Sequence, residues 1–285
     1  METKFYRPND QKEALFLLKQ YGADAMIVNG GTDAVLQLTE KKVSPQAIIY
    51  ISKLPQFHDI TLENDSVFLG GAVTYREMLD SPIIQAYTGL IESILHLASP
   101  PIRELATPAG NICTAAPSAD CTTMLLALRA KVHLASESGE RVVELNDYFI
   151  STYKTTKRPD ELVVKIELPA LREGDGTGYC RLSRRKAQDI GKVLIGAYAH
   201  MEGERISDVS ISLGALNAYV AHATELEQAL IGKTADEALA YTMSVFPVEA
   251  KLRESYFKAY KQDTVCPAVT RALEMAIHSI RGGKE

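Results

Sequence analysis

Residues 27–36 read IVNGGTDAVL: an apolar run that breaks at two adjacent glycines, passes a threonine and an aspartate, and turns at once into a second apolar stretch. The preceding DAMIV reads as a short buried strand, NGGT as a turn, and DAVLQLTEKK as a helix carrying lysines in its last turn. AIIYI at 47–51 reads as the next strand. Upstream, Ala14, Leu15, Leu17 and Leu18 fall on one face of a helix from Asp10 to Tyr21, and Gly22 supplies its C-terminal stop. The N-terminus is therefore a compact α/β unit whose centre is a glycine turn between strand and helix.

Working outward, HDITLEND and SVFLGG form a hairpin around Asn64 and Asp65, and Thr74 with Glu77 matches a capping box that opens a helix. TPAGNICTAAPSAD at 107–120 reads as a second loop of small residues, followed by an apolar helix opening near Asp120. KVHLAS and RVVEL are strands flanking the turn ESGE, and ELVVKIELP is another strand. REGDGTG at 172–178 has the composition of a linker. Beyond it YCRLSRR, KVLIGAYAHM and ISDVSISLGAL read as strands, and helices follow around 222–231, 234–245, 248–260 and 267–281. This divides the chain into residues 1–54, 55–171 and 177–285. No internal repeat is present.

Composition narrows the function. At 285 residues with 46% hydrophobic residues the chain buries a sizeable core, and a formal charge of -5 without a basic stripe argues against nucleic acid as a partner. No apolar run approaches the ~20 residues of a membrane helix, and the first ten residues are too polar for a secretory signal; the reading is cytoplasmic. Cys113, Cys121, Cys180 and Cys266 are widely spaced, without the pairs that hold zinc or the clusters that hold iron and sulfur. His58, His96, His133, His200, His222 and His278 form no metal-binding pair either, so no metal is expected.

The two small-residue loops carry the chemistry. Adjacent glycines let backbone N–H groups approach a ligand, and a following helix N-terminus adds positive potential, a combination suited to phosphate. Residues 29–32 have that form, though a glycine pair after a strand is also a plain tight turn. The pattern is not GxGxxG, and AIIYISKL ends in serine and lysine instead of an acidic residue, which argues against a nicotinamide-binding Rossmann domain. The loop at 107–120 offers Asn111, Thr114, Ser118 and Asp120 on a narrow backbone. It reads either as a crossover packed closely inside the fold or as the second half of a clamp around one long ligand.

IVNGGTD, IRELATPAGNICTAAPSAD and YCRLSRRKAQDIGKV, in this order and at these separations, together with the opening FYRPNDQKEALFLL and the late RESYFKAY, resemble the FAD-binding subunit of the molybdenum hydroxylase family, of the xanthine dehydrogenase and carbon monoxide dehydrogenase type. The resemblance spans the chain. It implies an α+β fold of the vanillyl-alcohol-oxidase (PCMH-like) type: two α/β FAD-binding subdomains, then a C-terminal domain with a three-stranded antiparallel sheet and helices. Carried over by motif, Ile27, Val28, Asn29, Gly30, Gly31, Thr32, Asp33 and Ala34 wrap the FAD pyrophosphate, while Thr107, Pro108, Ala109, Gly110 and Asn111 hold it from the second subdomain. Asp120 binds a ribitol or neighbouring hydroxyl, Leu97 and Val163 lie beside the cofactor, and Arg181 and Ile190 approach it from the last domain. No catalytic side chain is assigned.

Two departures stand out. Where the family commonly has TIGGN this chain has TPAGN, so Pro108 removes one backbone N–H and Ala109 adds a methyl group; where lysine is common it has Arg181. The resemblance implies a FAD-dependent oxidoreductase subunit working with an iron–sulfur subunit and a molybdopterin-binding large subunit, and passing electrons to an acceptor such as NAD. The alternatives are a stand-alone FAD oxidoreductase of the same fold and a non-catalytic assembly protein that has lost FAD.

Overall fold

The computed structural model describes residues 2–186, 188–252 and 254–282. Its first unit comprises β1 (Lys4–Tyr6), α1 (Gln11–Tyr21), β2 (Ala25–Val28), α2 (Ala34–Thr39) and β3 (Ala47–Tyr50). The strands form a parallel sheet in the order β1-β3-β2. α1 starts where the Asp10 side chain accepts the Glu13 N–H, and it buries the expected Ala14, Leu15, Leu17 and Leu18 against Ile49 and Ile51. α2 is shorter than its sequence pattern and ends before Lys41 and Lys42. It buries no side chain, and a helix without a packed face has little beyond local bonds to extend it.

The second unit contains β4 (Ile60–Glu63), β5 (Ser66–Gly70), α3 (Tyr75–Asp80), α4 (Pro82–Gln85), α5 (Thr88–His96), α6 (Pro100–Arg103), α7 (Pro108–Thr114), α8 (Asp120–Ala127), β6 (Lys131–Ser136), β7 (Gly139–Glu144), α9 (Leu145–Tyr148), β8 (Phe149–Ser151), β9 (Lys154–Thr155) and β10 (Leu162–Pro169). Five of these strands form an antiparallel sheet in the order β4-β5-β10-β6-β7. The β4–β5 hairpin turns on Asn64 and Asp65, both with positive φ (47° and 62°), a conformation these residue types tolerate. The capping box of Thr74 and Glu77 is in place. The segment expected as a loop from 107 contains a helix, α7, because Thr107 caps it and Pro108 sits at its first position, where no N–H is needed.

β11 (Asp175–Leu182), β12 (Val193–Glu202), β13 (Arg205–Gly214) and β14 (Ala221–His222) form the third sheet, antiparallel and in chain order. The three long strands are those expected, and the two-residue β14 adds an edge. α10 (Thr224–Leu230), α11 (Ala235–Ser244) and α12 (Lys258–Gly282) follow. The helix expected over 248–260 begins only at Lys258 and then continues through Pro267. Before it the chain makes turns: the Lys251 N–H donates to Asn217, Val248 and Tyr256 are exposed, and the residues that meet the core, Ala250 and Leu252, are two apart and so do not share one helical face.

The linker read at 172–178 is also shorter than its composition, since β11 takes over at Asp175. A Cβ on Gly178 would lie 2.1 Å from the Ala272 carbonyl oxygen of α12, and one on Gly89 of α5 would lie 2.8 Å from the Gly178 nitrogen. Glycine there lets a strand pass between two helices. The core crosses this junction: Tyr179, Leu194 and Val220 of the third unit pack with Leu69, Met78, Ile94, Leu125 and Ile166 of the second. A separate core lies between the third sheet and α12. Among the described residues no helix is long and apolar enough to cross a membrane.

Candidate functional site

The two small-residue loops, far apart in sequence, meet in the fold. The Asn29 side-chain amide at the end of β2 donates to the Gly71 carbonyl at 2.6 Å and to the Thr107 hydroxyl at 3.1 Å. Thr114 at the far end of α7 donates to Asp33 at 3.2 Å. Between these ties Gly30 lies so close to the second loop that a Cβ would stand 1.7 Å from the Leu105 carbonyl oxygen. Gly31 has φ +72°, which bends the chain into α2 and which an L side chain resists. The expected residues 29–33 and 107–114 therefore form one structure.

What the loops offer is backbone. Among the described residues, the N–H groups of Gly30, Gly31, Thr32 and Asp33 donate to no acceptor; the first return bond into the turn comes from Val35, to the Gly31 carbonyl at 2.9 Å. The Ala109 N–H is equally free, whereas that of Gly110 donates to the Thr107 hydroxyl at 3.0 Å. Successive free amides make a concavity suited to an anion. The Ala109 methyl is buried in the core, so this departure from TIGGN does not narrow the loop; Pro108 does remove an N–H that would otherwise be free.

A second cluster lies along α8 and β11. Asp120, the first residue of α8, is buried; its Oδ1 accepts the Tyr179 hydroxyl at 2.8 Å and lies 2.9 Å from Nε of Arg181. The Arg181 side chain is only 2% exposed, so it is not a solvated surface charge, whereas Arg184 and Arg185 are exposed and lie beside Asp189. Among the described residues the Nε of Arg181 makes no hydrogen bond despite its closeness to Asp120, and its Nη groups donate to Ser183 and to the Asp189 carbonyl. Burial pushes the Asp120 carboxyl above the usual range, against the opposing pull of Arg181 and the Tyr179 hydrogen bond. Thr122 donates to Asn111 at 2.8 Å and so joins this cluster to α7.

The remaining expected residues are placed as follows. Ile27 is half-buried and Val28 buried in β2, and Ala34 opens α2. Val163 is buried in β10; its carbonyl lies against Gly71, whose own carbonyl receives Asn29, which brings β10 to the first cluster. Leu97 ends α5 half-buried, with its carbonyl accepting Arg103 at 2.7 Å. Ile190, 63% exposed, follows Asp189 in the segment held by Arg181, and its N–H donates to the Asp189 carboxylate. Sequence reasoning missed Gly71, the Tyr179–Asp120 bond and the bridging role of Asn29. A polar residue at the end of an otherwise apolar strand was the available signal for the last.

Two cavities lie away from these loops. One, of about 460 Å³, sits at Arg129, Arg172 and Tyr198, the other, of about 290 Å³, at His222 and Glu227. Several of their charged groups pair with one another: Arg129 with Asp208, Arg172 with Asp175 and His222 with Glu227.

The chain is similar to known flavoprotein subunits in sequence and in fold. Residues 1–171 match the FAD binding domain in molybdopterin dehydrogenase, and residues 178–276 match the CO dehydrogenase flavoprotein C-terminal domain. The carbon monoxide dehydrogenase medium chain of Hydrogenophaga pseudoflava is 28% identical over 74% of this chain and 73% of its own length. The nicotinate dehydrogenase FAD-subunit of Eubacterium barkeri is 24% identical over 99% and 98%. Among solved structures, carbon monoxide dehydrogenase from Hydrogenophaga pseudoflava superposes with a TM-score of 0.89 at 26% identity, covering 98% of each chain. Quinoline 2-oxidoreductase from Pseudomonas putida 86 shares the fold, with a TM-score of 0.84 at 21% identity and coverage of 100% and 99%.

Proposed function

The chain belongs to the family of FAD-binding subunits of the molybdopterin dehydrogenases, and from that premise we propose that the joined loops 29–33 and 107–111 hold the FAD diphosphate while the Asp120–Arg181 cluster holds the flavin half. The observation that carries this reading is the row of free N–H groups from Gly30 to Asp33 set against the Thr107 loop. The residues fit the cofactor. Free amides and a helix start suit phosphate oxygens, the Asp120 carboxylate can accept a ribitol hydroxyl, the half-buried Leu97 and the exposed Ile190 supply apolar surface, and the buried Val163 brings the β10 backbone against the first loop. Bound there, FAD supplies a centre that exchanges electrons singly or in pairs.

The chain's own residues bind and orient. Arg181 holds a fixed positive charge beside Asp120, and its guanidinium ties down the segment that carries Ile190. The subunit receives electrons from an iron–sulfur subunit, fed by a molybdopterin-binding large subunit, and passes them to an acceptor such as NAD. The boundaries 1–54, 55–171 and 177–285 are its three working parts.

The purified chain should release FAD on acid or heat treatment, and the FAD-free chain should regain flavin fluorescence quenching and a higher melting temperature on adding FAD. Neither release nor rebinding would mean that the binding function is lost and would leave an assembly protein. Rapid oxidation of small substrates by the isolated chain would favour a stand-alone oxidoreductase.

A further inference from the structure

We propose that Asn29 is a positioning residue of this site: held by the Gly71 carbonyl, its amide fills the last lone pair of the Thr107 hydroxyl and leaves that hydroxyl's hydrogen available only to the bound ligand. The inference rests on the FAD reading above. It starts from a count of donors and acceptors. A threonine hydroxyl has two lone pairs and one hydrogen. At Thr107, which is buried, one lone pair accepts the Gly110 N–H at 3.0 Å and the other the Asn29 amide at 3.1 Å. Its hydrogen reaches no acceptor among the described residues.

The obvious escape is closed. Turning the Asn29 amide over would offer its oxygen to the Thr107 hydrogen, but would set that oxygen 2.6 Å from the Gly71 carbonyl oxygen, two acceptors face to face. The amide is therefore fixed in this orientation, and its own Oδ1 is buried without a partner among the described residues. A buried donor and a buried acceptor thus stand unmatched side by side, next to a loop of free amides. Buried polar groups are rarely left so, and an unmatched cluster of this kind marks a place that a ligand completes. A phosphate oxygen takes the Thr107 hydrogen; a ligand hydroxyl or a bound water supplies the donor that Oδ1 lacks. Asn29 also joins two loops 78 residues apart, so the cradle is assembled before the ligand arrives and less ordering is required on binding.

The amide must be neutral and must donate. In Asn29→Asp the carboxylate would face the Gly71 carbonyl, capture the Thr107 hydrogen and set negative charge beside the diphosphate. The test titrates FAD into the FAD-free full chain and reads flavin fluorescence, with circular dichroism confirming the fold of each variant. Asn29→Ala should weaken FAD binding about tenfold, and Asn29→Asp about a hundredfold at pH 8 with the deficit shrinking toward pH 5 as the carboxyl takes a proton. Adding Asn29→Ala to Thr107→Val should cost clearly less than the two single losses combined, because the share of the Asn29 effect that runs through the hydroxyl is already gone once valine stands at 107.

If the unmodified chain binds no FAD, the functional reading fails first. If it binds and the Asn29 variants match it at every pH, or if the Asn29 and Thr107 losses add, this proposal alone is overturned. Variants of Asn29 that lose the fold together with binding would make the residue a structural tie and overturn it as well.

Discussion

A Cβ on Gly30 would stand 1.7 Å from the Leu105 carbonyl oxygen, whereas one on Gly31 would meet nothing nearer than the Val35 side chain at 3.4 Å. The adjacent glycines therefore serve different ends: the first permits two backbones to touch, the second permits a positive φ. Gly30→Ala is expected to destabilise the FAD-free chain by about 3 kcal/mol or more, the upper end of overpacking costs, because backbone rather than a flexible side chain must move. Gly31→Ala should cost only about 1 to 2 kcal/mol, the strain of a left-handed L residue, while its methyl stands beside the free amides and weakens FAD binding. Urea titrations of the two FAD-free variants compare the stabilities; equal losses would contradict this division of roles.

Asp120 and Arg181 couple whole elements, since one opens α8 and the other lies on β11. Both charges are buried, and a buried pair is costly to break because the survivor is left uncompensated. Arg181→Met should lower the stability of the FAD-free chain by about 3 kcal/mol near neutral pH. The pH dependence follows from the sign of the shift. Burial already holds the Asp120 carboxyl above its ordinary value, and losing Arg181 raises it further. A carboxyl raised in the folded state destabilises fully above its folded pKa, and the penalty fades as pH falls through that value toward the unfolded one. The variant should therefore lie closer to the parent at pH 4.5 than at pH 7.5 in urea unfolding, and Arg181→Lys should retain most of the stability. A deficit that does not change with pH would mean that lost packing, not the unpaired carboxylate, is responsible.

At the scale of the molecule, the second and third units share side chains rather than an interface. Gly89, Gly178 and Ala272 bring α5, β11 and α12 into backbone contact, and the Ser212 hydroxyl donates to the Thr123 carbonyl at 2.6 Å, from β13 to α8. Residues from about 55 to the end of α12 should consequently unfold in one cooperative step, with calorimetric and van't Hoff enthalpies in agreement. Gly178→Val should displace α12 from β11 and split that step in two by scanning calorimetry. Two separated transitions in the parent would show that the junction is weaker than its packing.

The sequence by itself determined the elements with strong local signals: α1 with its Asp10 cap and buried stripe, the Asn64–Asp65 hairpin, the Thr74 capping box, and the three long strands of the last sheet. These depend on neighbours within a few residues, and periodicity and turn chemistry record such neighbours directly. The family too was legible, because three motifs in fixed order carry more information than any one glycine turn. Tertiary structure alone decided the rest. Gly176 and Gly178 have the composition of a linker and became strand because α12 packs on them; residues 248–252 have helical composition and became turns, with Ala250 and Leu252, two apart, as the residues that meet the core. Only the fold set Asn29 against Thr107 and Arg181 against Asp120. Each is a contact between residues at least 61 apart in the chain, decided by which surfaces the core brings together, and no local pattern encodes that choice.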